Sequence, residues 1–165
     1  MLSKKLQDAL NEQITNELYA AYLYLAMSAH LTGANLRGFA RWMRLQSQEE
    51  YSHAMKVYDF VLERGGRVVL KPIDQPPAQY KSPLDVFQQA LKHEQGVTGL
   101  INRLYELAIK EKDYPTQIML QWFITEQVEE EHAAGEIVEQ LKMIGNQPTA
   151  LFLLDQQLGA RGGDS

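Results

Sequence analysis

The chain has 165 residues, 45% hydrophobic and 22% charged, with a formal net charge of −5 and no cysteine. That balance fits one globular domain with a sizeable core rather than a disordered chain. The missing thiol excludes disulfides, thiolate zinc sites, iron–sulfur clusters and cysteine nucleophiles; carboxylate and imidazole remain as metal ligands and favour iron or manganese over copper(I).

The acidic balance argues against a nucleic-acid partner. No apolar run approaches the roughly 18 residues of a membrane span, so no membrane partner is expected. The N-terminal MLSKKLQDALNEQ lacks the apolar centre of a signal peptide, and a cytoplasmic protein is the expectation.

Helix punctuation is clear along the chain. Ser3 is a plausible N-cap for a first helix reaching about Leu31, where Thr32 and Gly33 stop it. Asn35 is expected to cap a second helix that runs to Arg64 and ends at Gly65–Gly66. The proline-bearing RVVLKPIDQPPAQYK cannot be helical throughout. Ser82–Pro83 then opens a third helix reaching about Lys112, and Asp113–Tyr114–Pro115 a fourth that ends near Gly145. PTALFLLDQQLGA reads as a short last helix.

No strand-like alternation of useful length is present, so the expected class is all-α. The domain is expected over residues 1–165, with the bundle at about 3–145 and the last helix at about 148–159. Short connections make the first two helices antiparallel neighbours, and likewise the third and fourth. A helix of about 28 residues spans about 42 Å, and a linker of about 17 residues reaches about 55 Å. The middle connection can therefore cross the whole bundle, giving a four-helix bundle with one long crossover.

Projected at about 100° per residue, each helix has an apolar stripe broken by acid near its midpoint. Glu17 interrupts Leu6, Leu10, Ile14, Ala21, Tyr24 and Leu31. Glu50 and His53 lie among Leu36, Phe39, Met43, Ala54, Val57 and Val61, with Glu49 at the margin. Glu94 falls among Phe87, Leu91, Val97, Ile101 and Tyr105, and Gln127 and Glu130 among Leu120, Phe123, Ala134, Ile137 and Leu141.

A buried unpaired carboxylate costs several kcal/mol. One such residue is most simply a satisfied hydrogen bond. Four at one depth repel prohibitively without cations. A di-iron carboxylate bundle takes one Glu from each of two helices and Glu-x-x-His from the other two. Glu17, Glu94 and Glu50-x-x-His53 fit three parts of that pattern. Glu129-x-x-His132 also spells it, but His132 points away from Gln127 and Glu130 and reads as solvated. His30 and His93 read as surface or packing residues. Gly96 and Gly99 lie off the metal stripe, where close approach of another helix or subunit is the expectation.

NEQITNELYAAYLYLAMS, FARWMRLQSQEEYSHAMKVYDFVLERGGRV, HEQGVT and LQWFITEQVEEEH resemble the bacterial and archaeal non-haem ferritins over essentially the whole chain. The resemblance implies a ferritin-like fold, a homo-24-mer shell, and oxidation of Fe(II) by oxygen or hydrogen peroxide with storage of Fe(III) mineral inside. It implies Glu17, Glu50 and His53 as ligands of a first iron position, with Glu50 bridging to a second held by Glu94 and Glu130 beside Gln127. Glu49, Glu126 and Glu129 match a third iron position, to which Glu130 also contributes. Tyr24 matches a tyrosine near the centre, an electron donor.

Where haem-binding relatives carry a ligating Met, this chain has Tyr51, so no haem is expected. Gln127 is neutral, so the first position is expected to fill before the second. The apolar Leu151, Phe152, Leu154 and Leu158 are expected to be covered by assembly, the resemblance implying that such tails meet around fourfold axes. A rubrerythrin-like di-iron peroxidase without storage is the alternative, disfavoured by the absent cysteines and by Gln127.

Overall fold

A computed structural model of the chain describes residues 1–162, so 163–165 of the expected domain lie outside the described residues. It contains α1 (Lys4–Gly33), α2 (Arg37–Glu63), α3 (Pro83–Lys110), α4 (Tyr114–Ile144) and α5 (Pro148–Gly159). Three expected caps are in place: Ser3 accepts from the Leu6 amide, Ser82 from that of Asp85, and Asp113 from that of Thr116. Each such cap contributes about 1 kcal/mol.

Two boundaries differ from expectation. Asn35 does not cap α2; it adopts φ 61° in the turn, and Leu36 occupies the cap position with no side-chain bond. The reversal between α1 and α2 needs one left-handed residue, which asparagine tolerates. Likewise α3 stops at Lys110 because Lys112 turns left-handed at φ 55°, which lets the Asp113 amide reach the Ala108 carbonyl.

Two apolar clusters fix the helix directions. One gathers Leu6, Leu10 and Ile14 from the start of α1, Val57 and Val61 from the end of α2, Ile101, Leu104 and Ala108 from the end of α3, and Leu120 and Phe123 from the start of α4. The other gathers the opposite ends, among them Met27, Leu31, Phe39, Phe87, Ile137 and Leu141. So α1 and α4 run one way and α2 and α3 the other, and the α2–α3 connection must cross the bundle.

That crossover is strapped along α1. Gln7 accepts from the Arg67 amide at 2.8 Å; Asn11 donates to the Arg67 carbonyl and accepts from the Val69 amide, both at 2.9 Å. Glu12 pairs with Lys71, and Tyr80 meets His30 edge-on at 5.1 Å near the far end of α1. Side chains of one helix thus satisfy backbone groups that a non-helical strap leaves free.

At the other end α5 lies against α2. A Cβ on Gly38 would overlap the Asp155 backbone carbonyl, and one on Gly159 would fall 2.9 Å from Gly38 Cα. The Asp155 carboxylate accepts from the Phe39 amide at 2.8 Å. It satisfies the first turn of α2, which Leu36 leaves uncapped.

The tail's apolar residues divide in a way that corrects the sequence reading. Leu154 is buried within the subunit, with Leu151 and Leu158 packed beside it, whereas Phe152 and Leu153 are 58% and 60% exposed. No heavy atom lies within 4 Å of a Cβ built on Gly96, and only Arg103 approaches Gly99. Among the described residues, no other helix closes on that glycine pair.

Candidate metal centre

Between the two apolar clusters the four long helices present a polar layer. Glu17, Glu50, His53, Glu94, Gln127 and Glu130 are all buried there. The helical period places each on its helix's inward stripe, and the antiparallel pairing brings the stripes to one level.

Three sets of donor atoms converge, each within 4.8 Å: Glu17, Glu50 and His53; Glu50, Glu94 and Glu130; His53, Glu126 and Glu130. Oxygen and nitrogen ligands about 2.0–2.2 Å from one divalent ion can lie up to about 4.4 Å apart, so little contraction is needed. Glu50 belongs to the first and second sets, Glu130 to the second and third, His53 to the first and third. His53 Nδ1 lies 3.3 Å from Glu50 and 4.0 Å from Glu17; its Nε2 lies 3.8 Å from Glu126.

The acids are held at a cost. Burial pushes the Glu17 carboxyl up, against the neighbouring Glu50 carboxyl, the His53 charge and a bond from Gln13. Burial, then the charges of Glu17 and Glu94, pushes Glu50 well up. Glu94 is raised by burial and eased by Tyr24 and Gln127, while Glu130 is raised to about 8 by burial and the neighbouring Glu94 and Glu49. Glu126 is raised too, chiefly by burial.

Two buried oxygens, Glu17 Oε2 and Glu50 Oε1, have no hydrogen-bond partner among the described residues. Buried acceptors are rarely left so. Divalent cations would supply the missing partners and remove the repulsion, so this donor set fits a pair of hard or borderline ions.

Other residues differ from a simple ligand role. Gln127 donates to Glu94 Oε2 and to the Glu94 carbonyl, each at 3.1 Å, so its amide steadies Glu94. Tyr24 is buried and donates to Glu94 Oε1; burial and the Glu94 charge hold its phenol well above the usual range. Of Glu49, Glu126 and Glu129, only Glu126 joins a converging set among the described residues, with His53 and Glu130. Glu49 is bonded to Arg161 at 2.8 Å, and Glu129 is exposed.

His132 is exposed, as its wheel position requires. His93 packs between Tyr19 and Tyr24, with ring centroids at 5.9 and 6.1 Å.

The sequence reading missed the layer's supports. Gln13 donates to Glu17 at 2.7 Å, Gln46 donates to Glu130, and the Thr98 hydroxyl lies 3.0 Å from the Glu94 carbonyl. Spacing could have found them: Gln13 and Gln46 stand one turn before Glu17 and Glu50, and Thr98 one turn after Glu94.

Comparison with known proteins agrees with this architecture. A family model described as a ferritin-like domain matches residues 7–144. A bacterial non-heme ferritin from Bacteroides fragilis is 43% identical over 161 residues, covering 98% of this chain and all of that protein. One from Staphylococcus haemolyticus is 41% identical, covering 99% of each. The crystal structure of an open pore ferritin from Archaeoglobus fulgidus superposes with a TM-score of 0.97 at 49% identity, covering 98% of this chain and all of that one.

Proposed function

The chain belongs to the ferritin family of non-haem members, and from that premise we propose that it oxidises Fe(II) at the mid-bundle carboxylates and stores the Fe(III) as mineral. The observation that carries this reading is Glu50. It is shared by two converging acidic sets, and one of its buried oxygens lacks a partner. A carboxylate so placed bridges two ions.

Glu17 and His53 complete the first position; Glu94 and Glu130 complete the second, with Gln127 and Tyr24 holding Glu94. Two Fe(II) ions side by side each give one electron to a single oxygen molecule, which takes two protons and leaves as hydrogen peroxide. Neither electron has to travel alone, so no one-electron oxygen radical need form. With peroxide as oxidant the same two electrons and two protons yield two waters. Carboxylates favour the harder Fe(III), and the sharing of Glu130 with the third set gives the product a neighbouring position on its way out.

Storage requires an enclosed space. We place the chain in a homo-24-mer. Exposed apolar side chains on the α1–α2 face, Leu25 and Tyr51 among them at 46% and 55% exposure, together with Phe152 and Leu153, need covering.

The test is aerobic Fe(II) addition followed by sizing and iron analysis. Storage gives a soluble particle with far more than two irons per subunit; a peroxidase without storage stops near two, and a chain that binds no iron leaves a precipitate. Glu50→Ala is expected to keep the fold and lower the initial oxidation rate by at least tenfold at two irons per subunit. An unchanged rate places the chemistry elsewhere.

A further inference from the structure

The chain beyond α5 returns to the polar layer. Arg41 Nη1 donates to the Gly159 carbonyl at 2.9 Å and to that of Arg161 at 2.5 Å, clamping the tail backbone on α2. The Arg161 guanidinium lies 4.8 Å from the Trp42 ring centroid. From there it donates through Nη1 to Gln46 Oε1 at 2.9 Å and through Nη2 to Glu49 Oε1 at 2.8 Å. Trp42, Gln46 and Glu49 follow one face of α2, spaced four and three residues apart, so one extended side chain touches all three.

The contact with Gln46 has a directional consequence. An amide can present oxygen or nitrogen, and a guanidinium only donates. By engaging Oε1, Arg161 turns Gln46 Nε2 inward, where it donates to Glu130 Oε2. The fixed cation is thus one bond from Glu49 and two from Glu130. These are acids that the sequence reading assigned to the third iron position.

We propose that Arg161 is a tail-borne latch that competes with the third iron: it occupies Glu49 and, through Gln46, holds Glu130 toward α2. Arg161 is a positioning residue, and this role rests on the di-iron reading above. Entry of a cation beside Glu126 must displace the fork or work without Glu49. The third position is therefore weaker than its acids alone would make it, which keeps Fe(III) moving onward. Four side chains in the first half of α2, Arg41, Trp42, Gln46 and Glu49, hold the latch, so the state of the tail is felt at the centre.

The experiment is calorimetric titration of the assembled metal-free protein with Zn(II), which binds such ligands without redox chemistry. The parent is expected to show two tight positions per subunit and a weaker third. Arg161→Gln is expected to tighten the third about fivefold, the upper end for a partly exposed ion pair. The first position and the particle size by light scattering stay unchanged, and the second, which shares Glu130, changes less than the third. In Glu49→Gln the same Arg161 substitution is expected to have at most half that effect, which a general loosening of the tail would not produce.

An unchanged third position in Arg161→Gln, with the particle intact, overturns the latch. If that variant does not assemble, Arg41→Gln releases the same backbone and is expected to tighten the third position about twofold; no tightening there overturns the proposal equally. Absence of the two tight positions from the parent overturns the di-iron reading, and the latch falls with it.

Discussion

At the scale of single residues, Glu130 is expected to tie protons to the proposed metal. Burial raises its carboxyl from 4.5 to about 8. A carboxyl raised on folding binds its proton more tightly in the folded state, so ionising it subtracts stability. The loss begins as pH climbs past the unfolded value and is complete above the folded one, roughly from pH 4.5 to 8. Metal-free Glu130→Gln is therefore expected to match the parent near the acid end of that window and to exceed it near pH 8 by on the order of a few kcal/mol. Urea denaturation in the presence of chelator checks this; parallel stability curves would mean that Glu130 ionises without cost. A divalent cation acts in the opposite sense, since it binds the ionised acids and gains affinity as pH rises.

At the scale of elements, α5 ties the end of the chain to the start of α2. Asp155 lends a cap to α2 from 116 residues away, and Gly38 lets the two backbones approach. Asp155→Ala is expected to cost about 1–2 kcal/mol, the range for a lost cap. Gly38→Ala is expected to cost more, because the obstacle it meets is main chain. Thermal melting of both variants tests the order, and a Gly38→Ala protein as stable as the parent would show that α5 docks elsewhere. The same helix marks where sequence reasoning ran out. Helices of 27 to 31 residues carry enough turns to phase an apolar stripe, so the inward placement of Glu17, Glu50, His53, Glu94, Gln127 and Glu130 was legible. In α5 the run Ala150–Leu154 is apolar throughout and has no phase, so nothing local separates buried Leu154 from exposed Phe152 and Leu153. Nor could spacing expose Arg161 on Glu49 or Asp155 on Phe39, bonds that exist only once the tail is folded back. Asn35 was misjudged for another reason: asparagine suits both a cap and a left-handed turn, and the tight reversal required the turn.

For the whole molecule, the exposed pair on α5 is expected to separate folding from the proposed assembly. Leu153→Lys touches no buried cluster and is expected to leave the helical signal of the subunit intact while shifting the particle to smaller oligomers, as light scattering at low micromolar concentration would show. Leu154→Lys should instead lower subunit stability first, because that side chain is inside. The division into two apolar ends and an acidic middle has a mechanical consequence as well. Without cations, the midpoint carboxyls must either hold protons or repel one another while both ends are clamped, so each subunit is expected to be stiff at its tips and soft at its waist. Backbone amides near Glu50 and Glu94 are expected to exchange with deuterated water faster than those in either apolar cluster, and to slow when Zn(II) is added. In the proposed shell, an iron-poor wall built from such subunits is expected to be more compliant than a loaded one, the cargo riveting what encloses it.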